Sequence, residues 1–308
     1  MRESQDNPPE NSLPPGIAET ELTKSITTSG YPLQGSVAHL LRDTYQVIEE
    51  WSYIDRDTKM LRSLDVFADQ VLADVGEHRP RIVLLIECKS SIHPYVFFQN
   101  AVENRIQFPT VRGLGRISIR EESGRSDTTL YCDPHSILGL TDSEFGTKPA
   151  IASAFTKAIA KGKKVNVSGD DPFNSIVMPL VKANDHAGAL FTPDFEADRS
   201  RPTLILNICV LDAPLIVVGT PNDGQSARLE PWVRVLRREA KKVDYGIRSS
   251  HYVVDAVHRG FIDHYFNEHV KLFAEKFRER LEKNAGVFKR GGVVDNLDDW
   301  TWRDVRPA

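Results

Sequence analysis

The sequence predicts an α/β protein with a mixed central sheet flanked by helices, and three stretches carry that expectation. IVLLI, residues 82–86, is β-branched-rich and apolar on both strand faces, as a central strand covered on two sides must be. TLILNICVLDAPLIVVG, residues 203–219, has the same character and reads as two strands about a tight turn at Asp212 and Ala213. FIDHYFNEHVKLFAEKFRERLEK, residues 261–283, sets Phe261, Tyr265, His269 or Val270, Phe273 and Phe277 on one stripe of an amphipathic helix.

The other elements follow in chain order. Residues 1–29 are rich in Pro, Ser, Glu and Thr with few large apolar groups; burial cannot offset the entropy of ordering them, so a disordered tail is expected. A single domain is expected over 30–285. Val37, Leu40, Leu41, Tyr45 and Val47 or Ile48 recur near helical spacing. LRSLDVFADQVL, 61–72, reads as a strand, and RIVLLIECKSS, 81–91, as the next. A helix is expected over 94–106, loops with one or two edge strands over 107–145, and helices near 148–162 and 172–183. WVRVLRREA, 232–240, reads as an edge strand with outward arginines, and HYVVDAV, 251–257, as a short strand. Residues 286–308 form a carboxyl-terminal extension.

Composition narrows the function classes. The chain is 40% hydrophobic and 27% charged, enough to bury a full core across 308 residues. No apolar run approaches the ~20 residues that cross a bilayer, and the opening MRESQDNPPENSLPP has no apolar segment of a signal peptide, so a cytoplasmic protein with no membrane partner is expected. Cys88, Cys132 and Cys209 have no paired spacing, which argues against a disulfide framework. Cys132 and His135 make half of a zinc ligand set with no second half. A net charge of −4 gives no global attraction to nucleic acid. Such contact would fall to the basic runs at 157–164 and 234–242, which otherwise read as solvated faces.

The apolar strand ends on Glu87, Cys88 and Lys89. Side chains alternate along a strand, so Glu87 and Lys89 share a face, while Cys88 turns away and offers its backbone carbonyl. A second triplet, Glu239-Ala240-Lys241, lies in a charged run and reads as solvated surface, so the spacing alone decides nothing. The preceding strand, however, carries Asp65. Neighbouring strands would bring it beside Glu87, where two carboxylates repel and raise each other's pKa unless a cation lies between them. Two carboxylates, a carbonyl and waters form a hard oxygen set suited to Mg²⁺ or Mn²⁺. Lys89 would then face the attacking water or a substrate phosphate, an arrangement suited to phosphodiester hydrolysis.

These residues resemble the PD-(D/E)XK, or restriction-endonuclease-like, nucleases, whose pattern is an acid at the start of one strand and a (D/E)-x-K triplet closing the next. On that resemblance Asp65, Glu87 and Lys89 are catalytic, and Asp65, Glu87 and the Cys88 carbonyl hold Mg²⁺ or Mn²⁺. It also implies a further catalytic and metal-ligating glutamate on the helix before the first strand, where Glu50, or Glu49 beside it, stands, and a catalytic glutamine on the helix after the triplet, where Gln99 stands. The match spans residues 31–105. Ser63-Leu64 precede Asp65 in place of the proline that names the motif, and no DNA-specificity domain is recognisable. The resemblance implies metal-dependent cleavage of DNA in restriction, defence or repair, and is compatible with a homodimer or a partner subunit. The competing reading is a catalytically inactive nuclease fold serving as a DNA-binding or protein-interaction subunit; clustered acids facing a polyanion argue against it.

Overall fold

The computed structural model describes residues 4–99, 110–114, 117–123, 126–132, 138–140, 143–167, 169, 171–191, 201–219, 226–243, 246–289 and 293–294. Its strands are, in chain order, β1 (Gln46–Ile54), β2 (Leu61–Val71), β3 (Arg81–Ser90), β4 (Tyr95–Gln99), β5 (Thr110–Arg112), β6 (Ile117–Ser123), β7 (Ser126–Cys132), β8 (Ala150–Lys161), β9 (Lys164–Val167), β10 (Thr203–Asp212), β11 (Leu215–Val218), β12 (Ala227–Leu229), β13 (Trp232–Val243), β14 (Gly246–His258) and β15 (Val293–Val294). One large mixed sheet runs β1-β2-β3-β10-β14-β13-β8-β4-β11-β12, with β5 beside β10 and β9 beside β8. β15, β6 and β7 form a small separate sheet.

The β3 strand fixes the layering. Ile82, Leu84, Ile86 and Cys88 face a core shared with the Tyr31–Leu41 helix and the carboxyl-terminal helix. Val83 and Leu85, on the other face, pack with Leu180, Ala183 and Ala187 of the Met178–Leu190 helix. The five apolar residues 82–86 are fully buried, each contributing roughly 1.5–3 kcal/mol of hydrophobic stabilisation. β10 lies parallel to β3 on one side and to β14 on the other, and antiparallel β2 closes the opposite edge of β3. Within the second core the amide of Asn184 donates to Asn207, which donates in turn to the Val253 carbonyl, pinning the helix to β10 and β14.

Several elements differ from expectation. The first helix stops at Leu41, and Val47 and Ile48 belong to β1. Helices expected over 94–106 and 148–162 are the strands β4 and β8, with residues 100–106 outside the described set. The alanines of AIASAFTKAIAK mimic a helix, but pairing to β4 and β13 and the stacking of Phe97 on Phe155, 5.2 Å between ring centres, decide for strand. β10 and β11 are both strands, yet they do not pair with each other: β11 joins β4 and β12. β13 is internal, between β14 and β8, rather than an edge. Part of the expected tail, Glu19–Thr28, is helical. The helix expected near 172–183 is present as a π-helical turn, Phe173–Val177, continued by Met178–Leu190. The carboxyl-terminal helix buries Tyr265, His269, Val270, Phe273 and Phe277, as its stripe predicts. Among the described residues, no helix is long and apolar enough to cross a membrane.

Because β13 is internal, Arg234 points into the core and is only 3% exposed. Its guanidinium forms a fork on Asp255, at 2.7 and 2.9 Å, and donates to the carbonyls of Phe145 and Gly146. The rings of Phe145 and Trp232 cover it, and Tyr265 donates its hydroxyl to the same Asp255 carboxylate. Arg234→Ala strands a buried carboxylate, and such broken pairs cost about 3–5 kcal/mol. Urea unfolding at neutral pH should show a loss of that size; a change below ~1 kcal/mol would mean that Asp255 finds water or another partner.

Candidate functional site

The β2–β3 ladder runs from Val71↔Arg81 to Val66↔Ile86 and stops there. Asp65 stands at the next position, half-buried, and its side chain takes over the role of the missing ladder bond: the Cys88 amide donates to Asp65 Oδ2 at 2.6 Å. In an extended strand the N–H and C=O of one residue point to the same side, so the Cys88 carbonyl also faces β2. Gly30, just ahead of the Tyr31–Leu41 helix, comes up to that carbonyl; a β-carbon there would lie 3.5 Å from the oxygen.

Glu87 follows Ile86 onto the face that also carries Val83 and Leu85, and is 6% exposed. Lys89 shares its face and donates from Nζ to Glu87 Oε1 at 2.5 Å. Asp65, Glu87 and Lys89 are therefore brought together as expected from strand alternation.

Glu50 is close by, but on a different element from the one expected. It lies in β1, where Glu49↔Val66 and Trp51↔Leu64 pair on either side, so its register partner is Asp65. Its backbone is left-handed, φ 49°, a conformation that costs a non-glycine residue roughly 1–3 kcal/mol. The kink reverses the facing of both strands. Val47, Val66 and Ala68 pack with the Tyr31–Leu41 helix, whereas Trp51, Tyr53 and Leu64 pack on the opposite side of the sheet. The helix before the first strand, YPLQGSVAHLL, has no acid; its buried polar side chain is Gln34, a residue that the motif does not assign to the site. Glu49 points elsewhere and pairs with Arg42.

Gln99 does not join the cluster. It lies on β4 rather than on a helix, five strands from β3 along the sheet, and accepts from Arg228 at 3.3 Å. Of the half zinc set, Cys132 ends β7, and His135 lies outside the described residues.

The electrostatics follow from burial. Burial and the repulsion of Asp65 push Glu87 up to about 7, outweighing the attraction of Lys89. Burial also raises Asp65, with Glu50 adding to it and the Cys88 amide and Lys89 opposing. Burial pulls Lys89 down, but the carboxylates of Glu87 and Asp65 raise it further, so it is a cation at neutral pH. Two acids held above their ordinary range, Glu87 by burial and Asp65, and Asp65 by burial and Glu50, are a site short of positive charge. Among the described residues no three His, Cys, Asp or Glu side chains are gathered to hold a metal. The groups that could hold a metal here are two carboxylates and one backbone carbonyl, a hard oxygen set that, with waters, would fit Mg²⁺ or Mn²⁺ and would not fit zinc.

The raised Glu87 makes a pH prediction for the metal-free protein. The folded state holds this proton more tightly than the unfolded state, so the contribution to stability is full below about 4.5 and is lost as pH rises through about 7. The loss is on the order of 3 kcal/mol. In EDTA, the stability of the parent relative to Glu87→Gln should therefore fall across that window. A pH-independent difference would remove the buried acid from the account.

No family model, no curated protein and no solved structure matches the chain, so its functional reading rests on the geometry of Asp65, Glu87, Cys88 and Lys89.

Proposed function

We propose that the chain is a metal-dependent nuclease of the PD-(D/E)XK type that hydrolyses phosphodiester bonds in DNA. The observation that carries this reading is the meeting of Asp65, Glu87 and Lys89 where the β2–β3 ladder ends. The mixed sheet flanked by helices is the architecture that the resemblance implies, and it supports the finer assignment to a restriction-endonuclease-like fold.

Asp65, Glu87 and the Cys88 carbonyl would hold Mg²⁺ or Mn²⁺. When bound, the ion neutralises phosphate charge and lowers the pKa of water. Lys89 would do the positioning: its protonated ammonium, held on Glu87 in the metal-free protein, would face the attacking water or a non-bridging phosphate oxygen. There it steadies the negative charge that develops in the transition state. Glu50 stands across from Asp65 on the exposed side, where its charge favours a cation over an anion in the cluster. Gln99, remote on β4, has no part in this chemistry.

Incubation with single- and double-stranded DNA in Mg²⁺, Mn²⁺ or EDTA should give cleavage that EDTA abolishes. Lys89→Ala should slow it by at least ~100-fold, the scale of losing one positioned charge, without abolishing metal binding. Cleavage at the parent rate would remove Lys89 from the chemistry.

Metal binding can be read without a substrate. Mg²⁺ or Mn²⁺ at a hundredfold excess over Kd should stabilise the fold by about 2.7 kcal/mol. Melting curves of Asp65→Asn should show a higher Tm than the parent in EDTA, and most of the metal response should be gone. An undiminished response would place the ion elsewhere.

A further inference from the structure

The two basic runs of the sequence come together in an unexpected way. β8 and β13 are parallel neighbours, paired from Ala150↔Val233 to Ala152↔Val235. Both continue well past that point, β8 to Lys161 and β13 to Val243, so they leave the sheet at the same end. Each turns back on itself. β8 returns as β9 through Gly162, whose φ of 61° suits glycine in a tight hairpin, with pairs from Ala158↔Val167 to Lys161↔Lys164. β13 returns as β14, with pairs running out to Val243↔Gly246.

The result is a fork of two ribbons with a firm root. Phe173 and Val177 of the π-helical turn pack with Phe155 of β8 and Tyr252 of β14. The Arg237 guanidinium lies 4.1 Å over the Phe173 ring, Tyr252 donates to Asp185 at 2.7 Å, and Lys157 donates to Asp171 at 3.0 Å. Beyond the root the β8–β9 prong is solvated: every residue of 161–167 is exposed, and β9 has no strand partner but β8 among the described residues.

Charge separates the fork from the rest of the chain. Residues 158–167 hold Lys161, Lys163 and Lys164 and no acid, while residues 238–243 and 246–251 hold Arg238, Lys241, Lys242 and Arg248 against Glu239. The whole chain carries −4.

Register gives the distance from the acids. Glu87, Cys209 and Ala256 are level on the parallel strands β3, β10 and β14. Gly246 lies about ten residues before Ala256 on β14, which at ~3.4 Å per residue puts the prong's tip roughly 34 Å from the level of Glu87. That span is about one helical turn of B-DNA, or ~10 base pairs.

We propose that the fork is a grip for duplex DNA, with the β13–β14 ribbon seated in the major groove about one turn from the scissile phosphate and the lysines of the β8–β9 prong on the flanking backbone. The major groove of B-DNA, ~12 Å wide, admits a two-stranded ribbon, whereas the deep and narrow groove of A-form RNA does not. Lysine and arginine on such a ribbon neutralise phosphates and fix the register of the duplex. The choice of substrate rests on the nuclease reading above; the fork itself does not.

The test uses the full chain and two variants, one with Lys161, Lys163 and Lys164 changed to Gln, the other with Arg238, Lys241 and Lys242 changed to Gln. Binding of a ~30 base-pair duplex is measured in EDTA across a salt series, beside an RNA duplex of the same length. Each variant should flatten the slope of log affinity against log salt by about 2–3, near 0.9 for each phosphate that is no longer neutralised, and the parent should favour DNA over RNA. With Mg²⁺, the parent should cut duplexes longer than ~20 base pairs faster than ones of ~10, and the variants should lose that preference while retaining the slow cleavage of short ones. The melting temperatures of parent and variants are compared first, and the solvated lysine variant serves alone if the other is unstable. Unchanged salt slopes, or equal affinity for RNA, overturn the grip. Prong-dependent binding without any cleavage overturns the nuclease reading and leaves the grip standing.

Discussion

Everything distinctive here depends on a strand that is apolar on both faces losing its partner before it leaves the core. β3 can be covered by helices above and below because residues 82–86 carry no polar side chain. Its pairing with β10 persists to Ser90, whereas its pairing with β2 ends at Ile86. The backbone groups of Cys88 on the β2 side are therefore left in a poorly solvated place, where an unmet amide is costly. Asp65 meets the amide. The same carboxylate that repairs the ladder then lies beside Glu87, and burial together with that repulsion raises the pKa of Glu87.

The kink at Glu50 belongs to the same event. β1 and β2 change facing together at Glu50 and Asp65, so the break in alternation that would expose one strand's apolar residues is matched by its neighbour. Trp51 stacks on Phe67 and Tyr53 on the new side, with centroids 4.7 and 5.9 Å apart, which supplies attraction to offset the left-handed backbone.

What the sequence disclosed follows from how far each signal reaches. Asp65, Glu87 and Lys89 were legible because strand alternation is local and a run of five apolar residues leaves no doubt about the strand. Glu50 lies on a strand rather than on the expected helix: helical spacing over Val37, Leu40, Leu41 and Tyr45 is real, but nothing in it marks the stop at Leu41. β4 and β8 were hidden because what makes them strands is each other, through Phe97 on Phe155. The burial of Arg234 is hidden in the sequence for the same reason. An arginine on an alternating strand reads as solvent-facing until Asp255 arrives from the neighbouring β14. Gln99 is expected on a helix, whereas Tyr95–Gln99 form a strand.

The excursion between β3 and β10 has a consequence for how the molecule is assembled. The chain leaves β3 at Ser90 and rejoins the sheet beside it only at Thr203, so this parallel pairing carries the closure cost of a very long loop. The meander from β1 to β3 closes over short turns, and it alone sets Asp65 against Cys88 and beside Glu87. The acids are thus specified by near neighbours in sequence, and their seclusion from water by distant ones, so insertions within the excursion can alter the surroundings of the pair without altering the pairing that aligns it.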